Sequence, residues 1–155
     1  MYYKNNKTDM KRVFQVIILT LSLLLGSQVI NAQCKGFAKK ICKVELDPFI
    51  HDGNYHAAIL TEGEEAELYK TFYSDTEYRI AVCGSDDLPN IEFKIIDASK
   101  NVLYTNKDHN FTRTWDFKLQ SSQQLKILVK VHPSGKNAEE VKSGCVAIMF
   151  GFKEK

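Results

Sequence analysis

Proline is scarce in this chain: three residues in 155, at Pro48, Pro89 and Pro133. No repeat and no low-complexity tract accompanies them, which excludes a proline-rich linker or a chain of several units. Long apolar runs are equally few. Val13 to Leu25 is mostly apolar, but its 13 residues fall short of the roughly 20 that cross a bilayer. No second candidate follows, so no transmembrane segment is expected beyond this one run. An excess of charge is also missing where it would matter. Four of the 21 Lys and Arg and one of the 19 Asp and Glu lie in residues 1–32, which leaves 17 basic against 18 acidic residues. That balance removes the electrostatic case for a nucleic acid or an anionic membrane as partner.

What is present begins at the N-terminus. Lys4, Lys7, Lys11 and Arg12 precede the apolar run, and Gly26, Ser27 and Ala32 follow it. A basic start, a short apolar stretch and a small residue before a cut site describe a secretory signal peptide. Residues 1–32 are read as that signal and 33–155 as one domain of 123 residues, enough for a real core. The destination is the periplasm or the exterior. Gln33 stands where a lipobox wants a small residue, so no lipid anchor on Cys34 is expected.

Four cysteines lie beyond the signal: Cys34, Cys42, Cys83 and Cys145. An even set in an oxidising compartment reads as two disulfides, and no C-x2-C spacing points to zinc. In 34–46, apolar residues Cys34, Phe37, Ala38, Ile41 and Cys42 recur at spacings of three and four, which predicts a helix. From about residue 54 the period becomes two. Ile91 to Ile95 alternates apolar and charged residues, and Leu125, Ile127, Val129 and Val131 share one face. Tyr78, Ile80 and Val82 share another; so do Phe111, Trp115, Phe117 and Leu119, and likewise Val146, Ile148, Phe150 and Phe152. With 54–60, 65–73 and 102–106, this gives about eight short antiparallel strands. Asp97 to Asn101 reads as a hairpin loop. The expected fold is all-β: a two-sheet, jelly-roll-like sandwich with a short N-terminal helix.

Parity constrains the cysteines further. Cys83 and Cys145 fall on the faces opposite their strands' apolar sets, so both point away from the sandwich core. Cys34 and Cys42 are eight residues apart, roughly 12 Å along a helix and beyond disulfide reach. The helix is therefore expected across the outside of one sheet, with Cys34 and Cys42 paired to Cys83 and Cys145 in an order left open.

Catalytic motifs are absent. There is no G-x-S-x-G, and Gly84-Ser85-Asp86 reads as a turn. His51, His56, His109 and His132 show no metal-ligand spacing. Asp86, Asp87 and Asn90 form an acidic loop whose oxygens suit calcium, though without the D-x-[DN]-x-[DN]-G pattern. No other cofactor is indicated. Trp115 and the tyrosines offer stacking surfaces for a glycan, yet aromatic residues on strands are ordinary core material.

Between Glu64 and Phe152 the order of elements resembles bacterial pre-peptidase C-terminal-like domains and GOLD-type sandwiches. The carriers are Tyr78-Arg-Ile-Ala-Val82, the Asp/Asn loop after it, the hairpin Ile91–Tyr104 around Asp97, and the pair Phe117-Lys-Leu119 and Leu125–Val131. Ser121-Ser122-Gln123 departs from the Gly-x-Tyr of those families. The resemblance implies a non-catalytic appendage or adaptor and carries over no active-site residue. The expected function is an exported, non-catalytic binding or assembly module that contacts a protein partner. The alternative is a carbohydrate- or calcium-dependent module, and the third reading is a small secreted hydrolase.

Overall fold

Alternation along the strands decides the architecture, because each strand must bury one row of side chains. The structure is a computed structural model and describes residues 14–15, 29–88, 90–133 and 140–154. The expected signal, residues 1–32, lies outside these residues apart from 14–15 and the backbone of 29–32. Among the described residues, nine strands form two antiparallel sheets: β1 (Ile50–His51), β2 (His56–Thr61), β3 (Glu65–Phe72), β4 (Glu77–Gly84), β5 (Ile91–Ile96), β6 (Val102–Thr105), β7 (Thr114–Lys118), β8 (Gln123–Val131) and β9 (Ser143–Phe152). The first sheet runs β1-β9-β4-β7, with β2 also paired to β9, and the second runs β3-β8-β5-β6. The strand beyond the expected eight is the two-residue β1.

Between the sheets lie Phe72, Ile80, Val82, Phe93, Ile95, Ile127, Val129, Ile148 and Phe150 among others. These are the alternating rows read from the sequence. The opposite face of β4 and β9 is dry too. Ala81, Cys83, Ala147 and Met149 pack there against Ala38, Cys42 and Leu46 of the N-terminal segment. That segment is a helix, α1 (Val29–Lys40), followed by a 3-10 turn over Cys42–Leu46. The expected single helix 34–46 thus starts earlier and breaks after Lys40. The break turns Ile41 out to solvent, whereas Cys34, Ala38, Cys42 and Leu46 keep a spacing of four and stay buried.

Both disulfides join this segment to the sheet. Cys34 pairs with Cys145 (Cα–Cα 5.2 Å) and Cys42 with Cys83 (5.7 Å). They close stretches of 111 and 41 residues, worth about 4–5 kcal/mol each if the whole effect is lost chain entropy. Arg79, on the outer face of β4, secures the far end. It grips Asp116 in a two-point contact (2.6 and 2.7 Å) and donates to the carbonyls of Asp47 (2.6 Å) and Glu45 (3.3 Å). Gly151 permits this close approach: a Cβ there would lie 2.7 Å from Cβ of Phe49.

One strand expectation is corrected. Phe111 does not continue the β7 row. Asn110 and Phe111 both take left-handed backbone (φ 52 and 53), so strand geometry begins only at Thr114. Buried Asn106 fastens this loop, accepting from Phe93 N–H (2.8 Å) and donating to Ile91 and Thr112 carbonyls (2.9 and 3.1 Å).

Two stability measurements test this account. Replacing Cys42 and Cys83 together by Ala should cost about 4 kcal/mol in urea unfolding, and a loss under about 1 kcal/mol would contradict it. Gly151→Ala should cost about 1–3 kcal/mol, because rigid Phe49 Cβ must move.

Candidate functional site

A sandwich made of two open sheets has two sides where the sheet edges face each other. On one side β2 and β3 are the edges, and between them the structure is open. The cleft there has a volume of about 360 Å³ and is mainly apolar. Ala58 and Leu60 of β2 face Ala66 and Leu68 of β3, with Val129 and Ile148 at the floor. Small side chains make the space: alanine at 58 and 66 cannot fill the gap between sheets about 10 Å apart.

One end of the cleft is polar. Lys70 points inward from β3, its Nζ 2.8 Å from Asp52 Oδ2 and 4.8 Å from the centre of the Phe150 ring. Asp52 Oδ1 accepts from Asn54 N–H (2.9 Å) in the short turn before β2. His51 stacks against Tyr55 at 4.6 Å, and His56 meets the edge of Phe150 at 5.7 Å. Burial is the largest influence on Asp52 and would raise its pKa, yet the bonds from Lys70 and Asn54 together outweigh it and hold it low. Burial also dominates at His56 and lowers its pKa, with Asp52 opposing and Lys70 and His51 assisting. The cleft therefore holds an imidazole biased toward its neutral form beside a closed ion pair. Among the described residues, its lining holds no Ser, Thr or Cys.

The residues singled out in the sequence lie elsewhere. Asp86, Asp87 and Asn90 are exposed on the β4–β5 connection. Asp86 and Asn90 line a separate cavity of about 260 Å³, with Ser85, Phe111 and Arg113. The guanidinium of Arg113 works against a cation in that cavity. Among the described residues, no group of three or more His, Cys, Asp and Glu is placed to hold a metal. Ser85 Oγ is buried with no hydrogen-bond partner among the described residues, so no base activates it. The four cysteines are spent in disulfides.

His132 does meet an acid, which spacing could not reveal. Its Nε2 lies 2.6 Å from Glu92 on the outer face of the second sheet, where Lys94 also reaches Glu92 at 2.9 Å. Burial would raise the Glu92 pKa, but these two bonds prevail and lower it. Cross-strand pairs Lys126–Glu67 (2.9 Å) and Lys130–Glu65 (2.7 Å) continue the same face, which is a ladder of matched charges. Trp115 stacks on Tyr104 (4.9 Å) and Phe117 (4.4 Å) at the rim of the core. Tyr69 and Tyr73 stay exposed. The cleft residues went unnoticed in the sequence because Ala58 and Ala66 carry no chemistry. The available signal was His56-Ala-Ala-Ile-Leu-Thr61, a strand without charge or proline.

No family model matches the chain, and no curated protein does. Among solved structures, it is similar to PliG of Aeromonas hydrophila, a periplasmic lysozyme inhibitor of g-type lysozyme. Identity is 11%, the TM-score is 0.49, and the match covers 68% of this chain and 89% of that one. A likeness of that extent assigns no function to this chain.

The histidine gives a pH test. Its folded-state pKa lies below the ordinary 6.5, so the stability it confers is whole above that value and declines as pH falls through the folded one. The Tm should drop between about pH 7 and about pH 5, and His56→Gln should flatten that drop. An unchanged slope in the variant would show that His56 is not the titrating group.

Proposed function

We propose that this protein is an exported, non-catalytic module that binds a protein partner through the β2–β3 cleft. One observation carries the reading: an apolar cleft opens at an edge of the sandwich where β2 bears no Lys, Arg, Asp or Glu and where Glu67, the acid in the lining, is already paired with Lys126. Exposed apolar clefts of this kind lose free energy to water and gain it on being covered. Two disulfides and the signal-like N-terminus fit an oxidising, exported setting. Among the described residues no Ser, Thr or Cys lines the cleft beside His56, which favours binding over hydrolysis.

A photo-crosslinking amino acid at Ile59, beside the cleft, should capture a partner protein in native envelope or medium. The same group at Val102, on the far edge, should not. Ala58→Trp fills the cleft and should abolish capture while keeping both disulfides and a cooperative melt; Ala66→Leu serves if that variant unfolds. Equal capture from both positions, or capture that survives a filled cleft, would overturn the assignment.

A glycan reading has one observation behind it. Tyr69 and Tyr73 are exposed and, at four residues' spacing, lie about 13 Å apart along the outer face. Glycan-induced quenching of tyrosine fluorescence that vanishes in Tyr69→Ala would favour it over the cleft.

A further inference from the structure

A cleft can be filled by side chains alone or closed by a strand. The backbone of β2 separates the two. Glu62 N–H bonds to Lys142 C=O at 2.9 Å, continuing the register in which His56 faces Ile148 and Leu60 faces Gly144. That bond sets the phase: residues 56, 58, 60 and 62 turn their backbone groups toward β9. Ala57 and Ile59 turn theirs away. A second bond agrees. Cys145, opposite Ile59, gives its C=O to Ser85 N–H of the β4 end at 2.9 Å, so it faces β4 rather than β2. The next outward residue, Thr61, is already served. Its N–H goes to the Glu64 carboxylate at 2.7 Å and its C=O receives Glu64 N–H at 2.9 Å. The N–H and C=O of Ala57 and Ile59 are left without a protein partner among the described residues.

Unpaired edges usually carry a guard: a charge, a short length or a bulge. The other edges here have one. β3 carries Glu65, Glu67 and inward-pointing Lys70, and β7 carries Asp116 and Lys118. β6 is four residues long, and its pairing with β5 shifts register at Ile95/Ile96. β1 has two residues. β2, six residues in unbroken register, carries no Lys, Arg, Asp or Glu, and the Glu64 carboxylate covers it only at Thr61.

We infer that the partner adds an extended strand to β2, pairing with the backbone of Ala57 and Ile59 and laying alternate apolar side chains into the cleft. This rests on the cleft being the binding site, as proposed above. The occupant is an uncharged peptide segment with an apolar residue at every second position. The chemistry follows from the lining: Ala58, Leu60, Ala66 and Leu68 accept apolar groups, and Glu67, the acid beside them, already holds Lys126, so a charge placed among the apolar four would be desolvated without a free counter-ion.

Amide hydrogen exchange on the full mature protein tests it. In the free protein, the amides of Ala57 and Ile59 should exchange at least about tenfold faster than those of Ala58 and Leu60. Already protected amides would mean that the edge is not free and would overturn the inference. The probe is a pool of blocked peptides of about seven residues, threonine alternating with valine, leucine, alanine or phenylalanine. Binding members should slow exchange at Ala57 and Ile59 by about tenfold or more. Methylating alternate peptide nitrogens should abolish binding in one frame and spare it in the other. If both methylated frames bind, side chains fill the cleft without a strand; that overturns this inference and leaves the cleft reading standing. If no peptide protects these amides, the strand is rejected, and the crosslinking result then decides the cleft separately. Ile59→Pro removes an outward N–H without touching the β9 ladder and should lose the response, whereas Ile59→Thr should keep it. Concentration-dependent dimers that Ile59→Pro returns to monomers would show a second copy as the occupant and overturn the inference.

Discussion

The rest of the structure depends on the helical segment bolted to the outside of the first sheet. β4 and β9 are buried on both faces, which an antiparallel strand in a small domain can sustain only if something covers its outer side. Here α1 and the 3-10 turn do so. The cover lies close because the sheet offers Ala81 and Ala147 beneath it and Gly151 beside it. Two disulfides and the Arg79 contacts fix it at both ends. A segment of this length would hardly hold its shape alone, since short isolated helices are marginal in water. Attached, it makes the centre of the sheet a three-layer structure and leaves the edges as the places where the chain meets its surroundings.

The edges then differ by simple chemistry. Where charges or irregular pairing guard a strand, addition of another chain is penalised. β2 lacks those devices, and Ala58 in its inward row leaves the space. The polar end of the cleft ties the two sheets together beside this gap. Lys70 points between them, and an ammonium buried without a partner would cost several kcal/mol. It stays above the Phe150 ring and reaches Asp52 in the turn before β2, so one ion pair spans the two sheets. The cleft is therefore an open, supported edge, with a hydrophobic mouth and a satisfied polar stop.

Several features that look chemical in isolation take on structural roles in this setting. Glu92, His132 and Lys94 satisfy one another across the second sheet, and the neighbouring Lys–Glu pairs do the same. Asn106 spends its amide on holding a loop whose backbone passes through left-handed conformations at Asn110 and Phe111. Trp115 closes the rim of the core by stacking between Tyr104 and Phe117. The acidic loop at Asp86, Asp87 and Asn90 shares its cavity with a guanidinium.

Much of the fold was legible in the residues because period and parity are local. Alternation in Ile91–Ile95 and Leu125–Val131 named the strands and their buried faces. The same parity turned Cys83 and Cys145 outward and so called for a covering segment joined by both N-terminal cysteines. The order of the disulfides was not legible: Cys34 in α1 and Cys42 in the 3-10 turn both face the sheet, and only the direction in which that segment crosses it selects a partner for each. The exposure of Ile41 and the left-handed turn at Phe111 were hidden for the same reason, since a helix break and a loop anchored by Asn106 depend on distant contacts. The cleft shows the division most clearly. The sequence by itself determined a strand at 54–60 without Lys, Arg, Asp or Glu. Only the tertiary structure decided that it stands at an edge, opposite Ala66, because strand order is set by pairings between segments far apart in the chain.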